Sequence, residues 1–191
     1  MEIKSAEFIK GILGTNELLE DERLQVAFIG RSNVGKSSVI NSLVNRKDLV
    51  KSGSKPGKTR QINFFLINGK VYFVDLPGYG FLKASLKEKE KIRKMLFWYL
   101  FRSEINFKKV VLIIDAKIGL NEFDKEMLSS LNEKEFPVVI AVNKTDKLKR
   151  NVLDKQLKII QKEVGDNVIV SYSAKTKKGR DELLDEIFKK N

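Results

Sequence analysis

Four short strings hold the side chains whose types and spacing could do chemistry. The first is Gly30-Arg31-Ser32-Asn33-Val34-Gly35-Lys36-Ser37, followed by Ser38. It reads G-x-x-x-x-G-K-S, the pattern of a phosphate-cradling P-loop. Gly30 and Gly35 allow a tight turn and let backbone N–H groups aim at phosphate oxygens. Lys36 adds a full positive charge for the β- and γ-phosphates, and the Ser37 hydroxyl is a hard oxygen ligand for Mg²⁺. The second string is Asp75-Leu76-Pro77-Gly78. Asp75 closes a predicted strand, where a carboxylate can hold Mg²⁺ through water, and Gly78 can offer its N–H to a γ-phosphate.

The third string, Asn143-Lys144-Thr145-Asp146, has a different task. A carboxylate accepts two parallel N–H bonds from the guanine Watson–Crick edge. Adenine cannot offer that pair, so Asp146 would select guanine by roughly 1–3 kcal/mol or more. The Asn143 amide can brace neighbouring loops, and the Lys144 stem can lie along a base plane. The fourth, Ser173-Ala174-Lys175, can give a backbone N–H to the guanine carbonyl.

These strings need strand ends and helix starts to position them. Leu24 to Ile29 reads as a strand and Lys36 to Val44 as a helix, so the first string lies in a strand-to-helix turn. The helix N-terminus there adds partial positive charge and free donors. Ile62–Ile67 and Val71–Val74 flank Asn68-Gly69, a strong hairpin signal that makes the pair antiparallel. Ser85-Leu86-Lys87-Glu88 fits a capping box ahead of Ile92, Met95, Leu96, Tyr99 and Leu100. Trp98 lies on the same helix and is expected in the core. The apolar runs Val110–Ile114, Val138–Val142 and Val168–Val170 read as buried parallel strands. Helical spacing marks Phe123 to Leu131, Val152 to Val164, and Leu183 to Phe188. Residues 1–22 form a short N-terminal arm. Within it Phe8, Ile9, Ile12 and Leu13 have helical spacing, broken by Gly11 and Gly14. Alternating strands and helices predict one α/β domain over residues 1–191, three layers deep. Its sheet is six-stranded and mostly parallel with one antiparallel hairpin edge. In such folds ligands bind beyond the carboxyl ends of the strands, where all four strings fall.

Composition narrows the chemistry. The 191 residues include neither cysteine nor histidine, which removes thiolate zinc sites, cysteine nucleophiles and the commonest general base. No apolar run approaches the ~20 residues that span a bilayer. The N-terminus lacks an apolar secretory region, so a cytoplasmic protein without stable membrane association is expected. The net charge of +12 favours polyanionic partners, nucleic acid foremost. Residues 45–61 are loop-like and carry Arg46, Lys47, Lys51, Lys55, Lys58 and Arg60 against Asp48 alone. Their place directly after the P-loop helix suggests a segment ordered by nucleotide.

The ordered set GRSNVGKS, PGKTR, DLPG, NKTD and SAK resembles the signature segments of a P-loop GTPase. More narrowly, GRSNVGKSSVINSL, PGKTRQINFF and DLPGYGF resemble the EngB/YihA family, kin of the TrmE–Era–EngA–septin GTPases. The resemblance spans about residues 22–188. It implies a P-loop GTPase fold, GTP and GDP as bound nucleotides with Mg²⁺, and a cytoplasmic, monomeric switch linked to cell division. The implied partner is the pre-ribosomal large subunit, through both rRNA and ribosomal proteins. It assigns Lys36 and Ser37 to phosphate and Mg²⁺, and Thr59 of Gly57-Lys58-Thr59 to the metal and the γ-phosphate. Asp75 and Gly78 become the second switch, and Asn143, Lys144, Asp146, Ser173 and Ala174 the guanine site. Asn143 stands where many family members carry threonine.

Many GTPases place a water-orienting glutamine after the D-x-x-G glycine. This chain has Tyr79 there. A phenol cannot do the work of an amide, so low intrinsic hydrolysis is expected. In the resembling relatives an asparagine at the place of Asn33 can hold a K⁺ ion that stands in for an arginine finger. Besides the ribosomal switch, two alternatives stay open: a GTP-dependent scaffold with negligible hydrolysis, or another RNA- or membrane-directed regulatory GTPase.

Overall fold

The computed structural model describes residues 2–50, 61–80, 85–101, 105 and 107–189. Gly57, Lys58 and Thr59 lie outside the described residues. The strands are β1 (Ala6–Ile12), β2 (Gln25–Gly30), β3 (Ile62–Ile67), β4 (Val71–Asp75), β5 (Phe107–Asp115), β6 (Val138–Asn143) and β7 (Val168–Ser171). The helices are α1 (Lys36–Leu43), α2 (Leu86–Phe101), α3 (Glu122–Glu133), α4 (Arg150–Val164) and α5 (Arg180–Phe188). The strands form one sheet in the order β1-β3-β4-β2-β5-β6-β7. From β4 onward every pairing is parallel, while β3 runs antiparallel to both β4 and β1.

The central strands carry continuous apolar runs, such as Val110–Ile114 of β5, because both sheet faces are covered. Along β2 the side chains alternate: Ala27 and Ile29 join one core, Val26 and Phe28 the other. The first core gathers Leu96 and Tyr99 of α2, Met127 and Leu131 of α3, and Ile160 of α4. The second gathers Val39, Ile40 and Leu43 of α1 with Leu183 and Ile187 of α5. Three layers result, with α2, α3 and α4 on one face and α1 and α5 on the other. Trp98 is half-buried against the first core. Among the described residues no helix is long and apolar enough to cross a membrane.

The sheet has seven strands, not the six that the sequence predicts. The extra one is β1, inside the segment with apparent helical spacing. A bulge between Phe8 and Lys10 breaks its period-two pattern, so Phe8 and Ile9 are both exposed. Gly11 is part of the strand: a Cβ there would come 2.5 Å from Gln61 Oε1 and 2.8 Å from Asn63 Oδ1. The hairpin turn anchors the segment. Asn68 and Gly69 take φ of 51° and 67°, as a type I′ turn requires. The Asn68 carboxamide then accepts from the N–H groups of Lys4 (2.7 Å) and Ser5 (2.9 Å) and donates to Glu2 O (2.8 Å).

Candidate nucleotide site

The P-loop leaves β2 at Gly30 and enters α1 at Lys36. Neither glycine could carry a side chain. A Cβ on Gly30 would lie 2.5 Å from the Ile113 carbonyl of β5. One on Gly35 would lie 2.5 Å from Asn143 Nδ2, and Gly35 caps α1 with φ 95°. Asn33 is left-handed at φ 68° and exposed, and its side chain makes no hydrogen bond among the described residues.

Asp75 reaches the loop because β4 pairs in parallel with β2, setting Asp75 beside Phe28. Asp75 is fully buried and Lys36 is 8% exposed. The Lys36 ammonium donates to Asp75 Oδ1, forming a buried ion pair. Asp75 Oδ2, also buried, meets no hydrogen-bond donor among the described residues. Such an orphaned carboxylate oxygen is costly and marks a place for a cation or donor. The rest of this string packs directly on the P-loop. Ser32 N–H donates to Tyr79 O at 2.7 Å, and a Cβ on Gly78 would sit 3.3 Å from Ser32 N. Leu76, fully buried, seats the segment in the first core.

Tyr79 does not face the P-loop with its hydroxyl. The ring is buried against Phe123, with centroids 4.4 Å apart, and the hydroxyl donates to Asp124 Oδ1. Burial and the neighbouring Asp124 charge push the Tyr79 phenol well above its usual range. Burial likewise raises the Asp124 carboxyl, against the bonds it accepts from Tyr79 and from Asn121 N–H. Sequence reasoning missed Asp124. The signal was there: Asn121-Glu122-Phe123-Asp124 has the spacing of a capping box, and both reciprocal bonds form, at 2.7 and 2.8 Å.

The other two strings meet the P-loop from β6 and β7. Asn143 Nδ2 donates to Val34 O at 2.9 Å, and its Oδ1 accepts from Ala174 N–H at 3.1 Å. One buried amide therefore joins three loops. Lys144, at φ 67°, donates to Asn33 O and pairs with Asp115 Oδ2 at 2.8 Å. Asp115 is a second residue whose place the sequence did not reveal. Thr145 Oγ1 donates to Tyr172 O at 2.8 Å, and Ser173 Oγ donates to Asp146 Oδ1 at 2.6 Å. Ser173 N–H is spent on Lys178 O at 3.0 Å and Ala174 N–H on Asn143. Lys175 N–H is the amide of its string outside such bonds among the described residues. Lys36, Ser37, Asp75, Gly78, Asn143, Lys144, Asp146 and Ser173 thus gather at one end of the sheet, beyond the carboxyl ends of β2, β4, β6 and β7.

Comparison with known proteins gives the family. Residues 25–144 match the family described as 50S ribosome-binding GTPase, and residues 102–190 match the elongation factor Tu GTP-binding domain. A probable GTP-binding protein EngB of Clostridium kluyveri is 45% identical over 188 residues, covering 96% of this chain and 94% of that protein. The chain belongs to the EngB family of GTP-binding proteins. A Kosmotoga olearia EngB is 42% identical, with 96% and 97% of the two chains covered. The crystal structure of a probable GTP-binding protein EngB superimposes with a TM-score of 0.74 at 28% identity, over 86% of this chain and 96% of that one. In this EngB-family chain the P-loop, Asp75 and the Asn143 and Ser173 strings occupy the carboxyl ends of strands of one sheet.

Proposed function

We propose that this protein binds GTP and GDP with Mg²⁺, hydrolyses GTP slowly, and acts as a nucleotide-dependent switch in assembly of the large ribosomal subunit. The observation that carries the nucleotide assignment is the pairing of Lys36 with Asp75 beneath a P-loop. Buried ions need partners. A bound nucleotide–metal unit gives Lys36 phosphate oxygens and Asp75 a cation, so neither charge is abandoned. Ser37 and the orphaned Asp75 oxygen are hard ligands suited to Mg²⁺. Among the described residues no three Asp or Glu converge on a metal, which fits an ion shared with phosphate. When bound, Mg²⁺ offsets negative charge on the β- and γ-phosphates. Thr59 completes the proposed metal set.

Asp146 accepts from Ser173 at Oδ1 and keeps Oδ2 and the second acceptor site of Oδ1 for the two N–H groups of the guanine edge, and Lys175 N–H supplies a donor for the carbonyl. Gly78 N–H, packed on Ser32, takes the γ-phosphate. Slow hydrolysis is supported by Tyr79: its hydroxyl is committed to Asp124, so it cannot orient water. Asn33, with an unengaged side chain, is placed to hold K⁺. Phosphate release in KCl and NaCl at matched ionic strength tests this, and equal rates remove Asn33 from the mechanism. The same sequestered Tyr79 favours a second reading, a scaffold that hardly hydrolyses GTP at all. Single-turnover phosphate release separates the two.

The ribosomal role draws on the family description and on the +12 charge. It places the protein in the cytoplasm, where ribosomal particles are built. Sedimentation with large-subunit particles in GDP and in a non-hydrolysable GTP analogue tests it. Nucleotide-dependent co-migration is expected, and absence from every ribosomal fraction at low salt rejects it.

A further inference from the structure

Beside the candidate nucleotide site lies a basic hollow of about 310 Å³. Its walls include Ser38, Asn45, Arg46, Lys47, Ala174 and Lys177. It opens where α1 ends and where the loop between β7 and α5 passes over it. Ser38 and Ala174 also belong to the nucleotide strings, so hollow and site are contiguous. Exposed Lys175 and Lys178 extend the same loop. None of Arg46, Lys47, Lys175, Lys177 and Lys178 is ion-paired among the described residues. The acids nearby include exposed Asp48, Asp146, which accepts from Ser173 beside Ala174, and Asp181, which pairs with Arg180 at 3.2 Å.

The backbone under these cations is held. Asn41 fastens residues 46–50 to α1, donating to Lys47 O (3.1 Å) and Val50 O (2.8 Å) and accepting from Val50 N–H (2.8 Å). Across the hollow, Lys177 Nζ donates to Asn45 Oδ1. Both residues are left-handed, with φ of 61° and 55°. Non-glycine residues kept in that region often mark functional places. The plain alternative is that these cations serve the negative end of α1. Arg180 already fills that role, donating to Ser42 O at 3.0 Å and Leu43 O at 2.7 Å.

We propose that this hollow binds the phosphodiester backbone of RNA, next to the bound nucleotide. The proposal rests on the ribosomal reading above and names the surface that reading lacks. Converging cations in a concavity suit successive phosphates better than the convex lysine face of α4 (Lys155, Lys158, Lys162). No aromatic side chain lines the hollow, so bases have nothing to stack on, and binding is independent of base sequence and steeply salt-dependent.

The test uses the full chain, a short single-stranded oligouridylate followed by anisotropy over a KCl series, and co-sedimentation with large ribosomal subunits. The variant is Arg46→Gln/Lys47→Gln/Lys177→Asn, asparagine being the residue that best tolerates the left-handed position. It is expected to bind the oligonucleotide at least about tenfold more weakly and to lower the slope of log K against log salt by about 2, three phosphates at ~0.7 each. Guanine-nucleotide affinity and Tm stay unchanged. If the triple variant fails to fold, Lys47→Gln alone lowers the slope by about 0.7. Unchanged affinity and slope overturn the proposal. So does a loss seen instead in Lys155→Gln/Lys158→Gln/Lys162→Gln, or a wild-type protein that ignores the oligonucleotide. If wild-type protein still co-sediments in those cases, the ribosomal role stands and only the hollow falls. Oligonucleotide binding that depends on the hollow without co-sedimentation keeps the hollow and removes the ribosomal role.

Discussion

The proposed phosphate half and the proposed base half of the candidate site are built in opposite ways. The phosphate half holds opposite charges, Lys36 and Asp75, buried against each other with one carboxylate oxygen left over. The base half satisfies itself with bonds already made: the neutral ones of Asn143 to Val34 and Ala174 and of Thr145 to Tyr172, and a charge-assisted one from Ser173 to the Asp146 carboxylate. In the first arrangement a metal would meet the unpartnered Asp75 Oδ2, and Lys36 would turn from Oδ1 to phosphate oxygens, so binding would exchange partners. The second can accept a base without dismantling a bond. On the proposed assignment, the base would meet a preformed surface and the phosphates would be registered by rearrangement. Asn143 and Lys144 link the halves, both reaching from the end of β6 to carbonyls of the P-loop.

That contrast can be broken most severely at Lys36. Lys36→Ala should cost about 3–5 kcal/mol in urea unfolding, because it strands Asp75 as a buried lone charge. Lys36→Met/Asp75→Asn should recover much of that stability while still failing to bind GTP. A single variant as stable as wild type would mean the pair is not buried in solution.

The base half should show its pH dependence at the alkaline end. Burial pushes Tyr172, bonded to Ser42 Oγ, up to about 12 from 10.0. The folded state therefore favours the neutral phenol. Its stabilisation is complete below pH 10 and is lost as pH rises through 12, about 2.7 kcal/mol in all at ~1.36 per unit. Wild type should lose that much relative to Tyr172→Phe across this window, measured by denaturant unfolding at each pH. Parallel profiles would show that the hydroxyl is solvated.

Asn143→Ala removes two neutral bonds and should cost about 2 kcal/mol, at ~1 per bond. It should also weaken GTP and GDP alike, since it loosens the P-loop and the base strings together. Isothermal titration with both nucleotides checks this, and a loss confined to GTP would place Asn143 with the phosphates. Asp146→Asn should change stability least, within about 0.5 kcal/mol, because Asp146 is exposed and asparagine can still accept from Ser173. Its affinity for GTP should nevertheless fall by about 1–3 kcal/mol, as one acceptor pairing with the guanine edge is lost. Unchanged affinity would remove Asp146 from base recognition.

Local signals made much of this molecule legible from its sequence. The two P-loop glycines, the Asn68-Gly69 hairpin, the Ser85 capping box and the apolar runs of β2, β5 and β6 each depend on residues close together in the chain. Glycine needs, turn types and hydrophobic period are therefore readable without a fold. So were the ends of β2, β4, β6 and β7, where the chemistry-bearing strings sit.

Only the tertiary structure decided the rest, because the deciding partners lie far apart in sequence. β1 became a strand through pairing with β3, and its bulge disguised the period that would have announced it. The parallel register of β2 and β4 set Asp75 against Lys36. Tyr79 was plain in the sequence, yet only the packing of α3 turned its hydroxyl away to Asp124. Asn143 acquired three loops to hold, and Arg46, Lys47 and Lys177 gathered around one hollow. A residue's type sets what it can bond. Which bond it makes depends on the neighbour that the fold brings within about 3 Å.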